Sequence, residues 1–378
     1  MLRTLASLAL CTAAAAQNTW IVDPNGTGNF TTLGAAIAAA APFDVVILRG
    51  GGYHLGTSVV SKPLSILGDN TAGQAIVMDL RIPSAPWLGA PVTIAGIEVV
   101  TFTAQQPVSI EDAVIRRCTI NTVASLHRCV VGYSQSSFVN SPSSFVLSGG
   151  QAIVTDSVLY PGAAYGALDP YTGQCVGHPG PPAVQVNGGD LTLAGCRLEG
   201  AWAWAVYCGG PYTGIAPPGP AVVVAQGTVR FTDSVVFSSA AQSVVHASIP
   251  VFYDPSAVFT PPLQGGTSIF LPVTRGQGAL PGGAMQCDVF AAPGLPAAIA
   301  GSLGMRGPVT TSFGATWLDP NAFVVLALGV TDAAGRLPAA IPVPATAPRG
   351  LPIAVQGFVA APTPGALQAA ASVVLHVL

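Results

Sequence analysis

Four stretches decide how this chain is read: Val114-Ile-Arg-Arg-Cys118-Thr-Ile120, Ile153-Val-Thr-Asp-Ser157-Val-Leu159, Leu191-Thr-Leu-Ala-Gly-Cys196-Arg-Leu198 and Val229-Arg-Phe-Thr-Asp-Ser234-Val-Val236. Each alternates apolar and other residues on both sides of a small or polar corner. Period two around a corner means strand, turn, strand. The Cys/Ser position recurs at 118, 157, 196 and 234, in steps of 39, 39 and 38 residues. An earlier member, Val92-Thr-Ile-Ala-Gly-Ile97-Glu-Val99, lies 21 residues before Cys118, and Leu64-Ser-Ile-Leu-Gly68-Asp69 stands before that. A fixed period with one such unit each marks a solenoid, because no unit can bury its apolar row alone. In a parallel stack, equivalent positions lie ~4.8 Å apart. The 21-residue step fits one bare coil; the longer steps fit a coil plus an excursion, at about 121–143, 160–182 and 199–220. Two excursions share Pro-Tyr-Thr-Gly, at 170–173 and 211–214, so a wall of loops along one side of the stack is expected.

Working outward, the composition supports an all-β chain. Half of the 378 residues are hydrophobic and only 8% are charged, against ~25% in typical soluble domains. Gly and Pro make 78 residues, which favours turns and strands over long helices. Lys62 is the only lysine, and Glu98, Glu111 and Glu199 are the only glutamates. With a formal charge of −3 and no basic cluster, a nucleic-acid interface is excluded as an expectation. No run after the start reaches the ~18 apolar residues of a membrane span. A monomer is expected.

Met1-Leu2-Arg3, the apolar run from Leu5 to Leu10, and Ala14-Ala15-Ala16 before Gln17 read as a secretory signal peptide over residues 1–16. A lipoprotein reading would use Cys11, but Leu10 is bulkier than the small residue such a site wants. The chain is therefore expected to be secreted or displayed at the cell surface. Six cysteines remain after cleavage, with no Cys-x-x-Cys pair and so no zinc signature. Cys175 and Cys208 sit in neighbouring excursions and are the favoured disulfide.

Near the start, Asp23-Pro24-Asn25-Gly26-Thr27-Gly28-Asn29-Phe30 forms a turn after a strand at 20–22. A helix at about 32–41, opened by a threonine cap and closed before Pro42, leads to a strand at 45–48 and to Gly51-Gly52-Tyr53. This order resembles the opening of right-handed parallel β-helix proteins of the pectin lyase-like superfamily, pectin methylesterases included. The resemblance covers roughly residues 20–70, and the repeats carry the fold reading to about 250. It implies a right-handed parallel β-helix whose first helix seals the core, as repeat folds require. The glutamine–aspartate pair, the Phe-Ile-Phe-Gly stretch and the Gly-Arg-Pro-Trp segment of the pectin methylesterases are absent, so no catalytic residue carries over.

Beyond a proline-marked boundary near 250–265 the period is lost. Apolar stretches at 268–274, 284–290, 309–317, 323–330, 351–359 and 372–378 suggest a small β-sandwich. It resembles a C-terminal module of secreted bacterial proteins, with an adhesion, sorting or stabilising role. The expected organisation is a signal peptide over 1–16, a β-helix over 17–255 and the module over 256–378.

Candidate chemistry is sparse. The residues before the Cys/Ser ladder are Arg117, Asp156, Gly195 and Asp233. Their plain reading is turn-forming aspartates and an exposed ion-pair ladder. The sharper reading is an acid/base or calcium site using Arg116, Arg117, Asp156 and Asp233, the two aspartates ~9.6 Å apart across two rungs. The Cys118, Ser157, Cys196, Ser234 ladder reads as small residues filling a tight corner. Trp202, Trp204, Tyr171 and Tyr212 in the excursions, with Asp169, His178, Arg197 and Glu199, suit the apolar faces and polar rims of sugar rings. Loop–loop packing would use the same aromatics. The five histidines have no metal-ligand spacing, and no cofactor is expected unless a lyase takes calcium. Three readings follow: a polysaccharide-binding β-helix protein, a polysaccharide lyase or glycoside hydrolase, and a structural or adhesion protein.

Overall fold

The structure is a computed structural model. It describes residues 17–50, 53–71, 73–84, 91–132, 143–162, 165–168, 172, 174–178, 180–207, 213–246, 250–303, 309–319, 321–360, 367–370 and 372–377. Among the described residues the fold is all-β, a parallel β-helix with one short helix at its start and a β-sandwich in the C-terminal part. The chain divides into two units: Met1–Ala113 with Thr122–His127 and Phe270–Leu378, and Val114–Asn121 with Arg128–Ile269.

In the first unit, parallel strands Thr19–Val22, Val45–Arg49, Ser65–Asp69, Val92–Ala95 and Val108–Glu111 stack in that order. The register is strict. Trp20, Val46, Ile66, Ile94, Ile110 and Leu126 occupy one column. The last five are fully buried, each contributing about 1.5–3 kcal/mol of burial. A second leg stacks Tyr53–Val59, Ala75–Ile82 and Ile97–Ala104 in parallel.

The helix Leu33–Ala39 buries Leu33, Ala36 and Ile37 and starts at Thr32, whose hydroxyl accepts from Ala35 N. At its other end Lys62 Nζ donates to the carbonyls of Ala38 and Ala40, occupying two of the acceptors a helix terminus leaves open. Asp44 ties the cap to the first strand, accepting from Asn18 N at 2.9 Å, Trp20 Nε1 at 2.9 Å and Ala41 N at 2.8 Å.

The C-terminal part pairs two antiparallel sheets. One holds Val273–Gln277, Ala284–Phe290 and Arg336–Pro342; the other holds Phe323–Val330, Pro296–Leu303, Pro352–Ala360, Leu367–Ala369 and Val373–His376. Met285, Cys287 and Val289 of the first sheet meet Ile299, Val355 and Leu375 of the second in one apolar core. The module also packs on the polar outer face of the first unit's coils. Ser65 Oγ donates to Gly350 O at 3.2 Å, and His127 Nε2 lies 2.8 Å from Gly276 O.

In the second unit each coil has three legs. The long strands Phe145–Thr155, Val184–Ala194 and Val222–Thr232 supply two, bent at a glycine corner. Gly150, Gly189 and Gly227 have φ of +74°, +83° and +98°. A Cβ on Gly189 would lie 2.3 Å from Gly150 O, so only glycine lets these corners stack. The third leg stacks Val130–Val131, Val158–Leu159, Arg197–Glu199, Val235–Phe237 and Val258–Thr260. Leu159, Leu198 and Val236 form its buried column.

The second and third expected excursions are antiparallel hairpins, Tyr165–Leu168 with Cys175–His178 and Trp204–Tyr207 with Thr213–Ala216. They pack together, since a Cβ on Gly177 would lie 2.3 Å from Ala216 N. The first expected excursion, 121–143, is different. Part of it is regular solenoid: the strand Val114–His127 runs through it, followed by Val130–Val131, and residues 133–142 lie outside the described residues.

Candidate functional site

The corner between the second and third legs carries the polar ladder. Ser157 Oγ accepts from Cys129 N at 2.9 Å and donates to Thr155 O at 2.7 Å. Two coils on, Ser234 Oγ accepts from Cys196 N at 3.1 Å and donates to Thr232 O at 2.9 Å. Hydroxyl and thiol thus satisfy backbone groups inside a tight buried corner. The ladder is Cys129, Ser157, Cys196, Ser234. This corrects the register expected from sequence, because Val114 pairs with Val130 and Val130 with Val158. Cys118 instead lies within the strand Val114–His127, four residues past Val114, where its N–H donates to Ser144 O, just before the long strand Phe145–Thr155, at 2.7 Å.

The residues before this ladder are therefore Arg128, Asp156, Gly195 and Asp233, with φ of +50°, +48°, +64° and +45°. The left-handed corner explains the aspartates and the glycine, which tolerate that conformation best. Arg117 is not among them. It is exposed on the third leg beside the half-buried Arg116. Asp156 is half-buried and Asp233 exposed, and they lie two coils apart with Gly195 between them. Their backbone N–H groups donate to Ala194 O and Ser256 Oγ.

Alongside this corner runs the outer face of the third leg. Val158, Arg197, Val235 and Val258 are in register, followed by Glu199, Phe237 and Thr260. Val235 is 48% and Val258 53% exposed. Arg197 bridges to Glu199 on its own strand, Nη2 to Oε1 at 2.7 Å and Nε to Oε1 at 2.9 Å. Trp202, 53% exposed, lies against Phe237 with ring centroids 5.3 Å apart at 41°. The face therefore offers an aromatic pair, an apolar strip and one compact ion pair. Such a surface can take the C–H face of a ring while offering donors and an acceptor at its rim.

Of the other expected binding residues, His178 is half-buried on the first hairpin, opposite Tyr165. Trp204 stands on the second hairpin, opposite Ala216, but its side chain lies outside the described residues. Asp169, Tyr171, Tyr212 and Cys208 also lie outside them. Cys175 ends the hairpin pairing opposite Leu168. Cys118, Cys129, Cys196 and Cys287 are buried thiols. Burial and the neighbouring Asp288 push Cys287 up to about 12, and burial with Cys129 nearby pushes Cys118 well up, so both stay protonated. Among the described residues no three His, Cys, Asp or Glu side chains are placed to hold a metal ion. No helix among them is long and apolar enough to cross a membrane.

Sequence reasoning missed one constellation entirely. In the first unit Ser109 Oγ lies 2.8 Å from His376 Nε2, and His376 Nδ1 lies 3.1 Å from Glu111 Oε2. The connectivity is that of a nucleophilic triad. All three residues are fully buried, so no substrate reaches Ser109. Glu111 also accepts from His376 N at 2.9 Å and Gly278 N at 3.3 Å. The Nδ1 contact is close but not aligned as a hydrogen bond. The cluster joins the C-terminal strand to the coils. No spacing in the sequence announces it, since 265 residues separate Glu111 from His376.

No family model and no curated protein matches this chain. Among solved structures it is similar to full-length tailspike protein 2 from an Escherichia coli O157:H7 bacteriophage, at 9% identity and a TM-score of 0.26, over 89% of this chain and 59% of that one. It is also similar to the enzymatically active domain of bacteriophage CBA120 tailspike protein 2, at 10% identity and a TM-score of 0.25, over 89% of this chain and 66% of that one. The chain thus spans under two thirds of each of these two structures.

Proposed function

We propose that this protein binds polysaccharide through the outer face of the second unit's third leg. One observation carries the reading: the half-exposed Trp202 on Phe237, beside the exposed valine column and the Arg197–Glu199 pair. Exposed apolar surface on a rigid scaffold suggests a partner, and an aromatic flanked by charge suits sugars better than a purely apolar ligand. His178, on the first hairpin, would extend the site; Trp204, Tyr171, Tyr212 and Asp169, whose side chains lie outside the described residues, are proposed for the same ligand.

We further propose export of the chain after cleavage before Gln17, and a Cys175–Cys208 disulfide. The packing of the two hairpins supports that pairing, because Cys208 directly follows the strand Trp204–Tyr207. Kinship with the pectin lyase-like superfamily rests on the N-terminal resemblance alone.

A second reading, a polysaccharide lyase or glycoside hydrolase, is favoured by the corner column. Asp156 and Asp233 flank the side-chain-free Gly195 across two rungs, ~9.6 Å between Cα atoms on strand spacing, from which the side chains need to lean together only slightly to reach the ~6.5–9.5 Å between inverting carboxyl groups. Purified protein on a panel of uronate-containing and neutral polysaccharides separates the two. Retention without new chain ends supports binding alone. New ends that Asp156→Asn or Asp233→Asn abolishes support the enzyme, with chelator sensitivity marking a calcium-dependent lyase. Neither signal on any polymer leaves the structural or adhesion role.

A further inference from the structure

We infer that the C-terminal sandwich carries a self-pairing edge, and that two copies of this chain associate through the strand Phe323–Val330. This strand is the edge of its sheet, hydrogen-bonded to Pro296–Leu303 on one side and, among the described residues, to no strand on the other. Its free backbone groups call for another strand. Natural edges are usually guarded by charge or proline, yet residues 321–331 contain neither.

The side chains say which strand. Phe323, Val325, Leu328 and Val330 lie opposite Ser302, Ala300, Ala298 and Pro296, alternate positions of one neighbouring strand. All four therefore share a face, and it is the face away from the module's core, which Ala297 and Ile299 line. A bulge makes this possible. Leu326 is the extra residue between Val325 and Ala327, and without it Leu328 and Val330 would turn inward. The four are 49%, 46%, 76% and 58% exposed.

The resulting pattern is symmetric about its centre. In an antiparallel pair with a second copy, Phe323 meets the partner's Val330 and Val325 meets the partner's Leu328, all on one face. A two-fold interface requires such self-complementarity; a different partner does not. Between identical uncharged strands no like charges oppose each other.

Sedimentation velocity of the purified full chain across a concentration series tests this. A monomer–dimer equilibrium is expected. Leu328→Asp, at the most exposed position, should weaken it at least tenfold without changing the melting temperature at concentrations where the parent is monomeric, and Val330→Lys should do the same. The register has its own readout. Mixing separate Val325→Cys and Leu328→Cys proteins under oxidant should give a covalent dimer, and neither alone should. A monomer at every concentration, open-ended assembly, or a dimer that survives Leu328→Asp with no cross-link in the mixture would each overturn the inference.

Discussion

Replacing Glu111 by alanine should loosen the C-terminal strand far more than a typical single substitution does. The carboxylate is fully buried and accepts from His376 N at 2.9 Å and Gly278 N at 3.3 Å. It also faces His376 Nδ1 at 3.1 Å. Each buried N–H left without its acceptor costs about 1–3 kcal/mol. We expect a loss of about 2–6 kcal/mol, because two buried N–H donors lose their acceptor. Ser109→Ala removes one neutral partner of His376 and should cost about 0.5–1.5 kcal/mol. Urea unfolding gives the totals, and amide hydrogen exchange gives the place. Protection should fall first in Val373–His376 and around Gly276 to Gly278. A loss below about 1 kcal/mol for Glu111→Ala, or unchanged exchange in that strand, would refute the assignment of the cluster as a structural lock.

Three further outcomes are expected. Gly189→Ala should destabilise by more than about 2 kcal/mol, since its Cβ would sit 2.3 Å from Gly150 O at φ +83°. Gly294→Ala, at φ +77° with nothing within 4 Å, should cost only the ~1–2 kcal/mol of the left-handed backbone; equal losses by thermal melts would contradict the stacked corner. Burial alone would raise the pKa of Asp44, but hydrogen bonds from Trp20, Ala41 and Asn18 outweigh it and hold the carboxyl below its ordinary 3.8. Its stabilisation is thus present above 3.8 and is lost as pH falls through the lower folded value. The melting-temperature gap between the parent and Asp44→Asn should narrow over that range, and a gap that widens instead would reverse the sign. Cys118 and Cys287, buried and raised, should resist alkylation at pH 8.5 until the protein unfolds, as mass spectrometry of labelled peptides would show.

Much of the fold was legible because a solenoid writes its period into the chain. The alternation around Ser157, Cys196 and Ser234 marked the coils, and the 39- and 38-residue steps between them match the observed register. The first step misled. Arg117-Cys118 imitates the corner pair Asp156-Ser157, a small residue followed by apolar alternation, while the true corner residues are Arg128 and Cys129. An arginine in a left-handed corner is rare enough that no propensity would have chosen it. The same slip hid a 16-residue step, Ile94 to Ile110 to Leu126, shorter than any coil the repeats suggested. The candidate site was half legible. Arg197 and Glu199 pair on one strand and Trp202 packs on Phe237, but Phe237, Val235 and Val258 join that strand only through register. Glu111, Ser109 and His376 could not be found at all, because the module's return to the coils depends on packing and no local pattern encodes it.

The central claim is that the Trp202 face takes a polysaccharide. Its most direct test is affinity electrophoresis through each polymer of the panel, comparing the parent with Trp202→Ala, Phe237→Ala and, as a control off the face, Ala298→Ser. The account predicts retardation of the parent on at least one polymer, a loss of at least about tenfold in affinity for both aromatic variants, as for a central anchor residue, and no change for the control. Retardation that is unaffected by removing Trp202 and Phe237, or no retardation of the parent on any polymer, would contradict it.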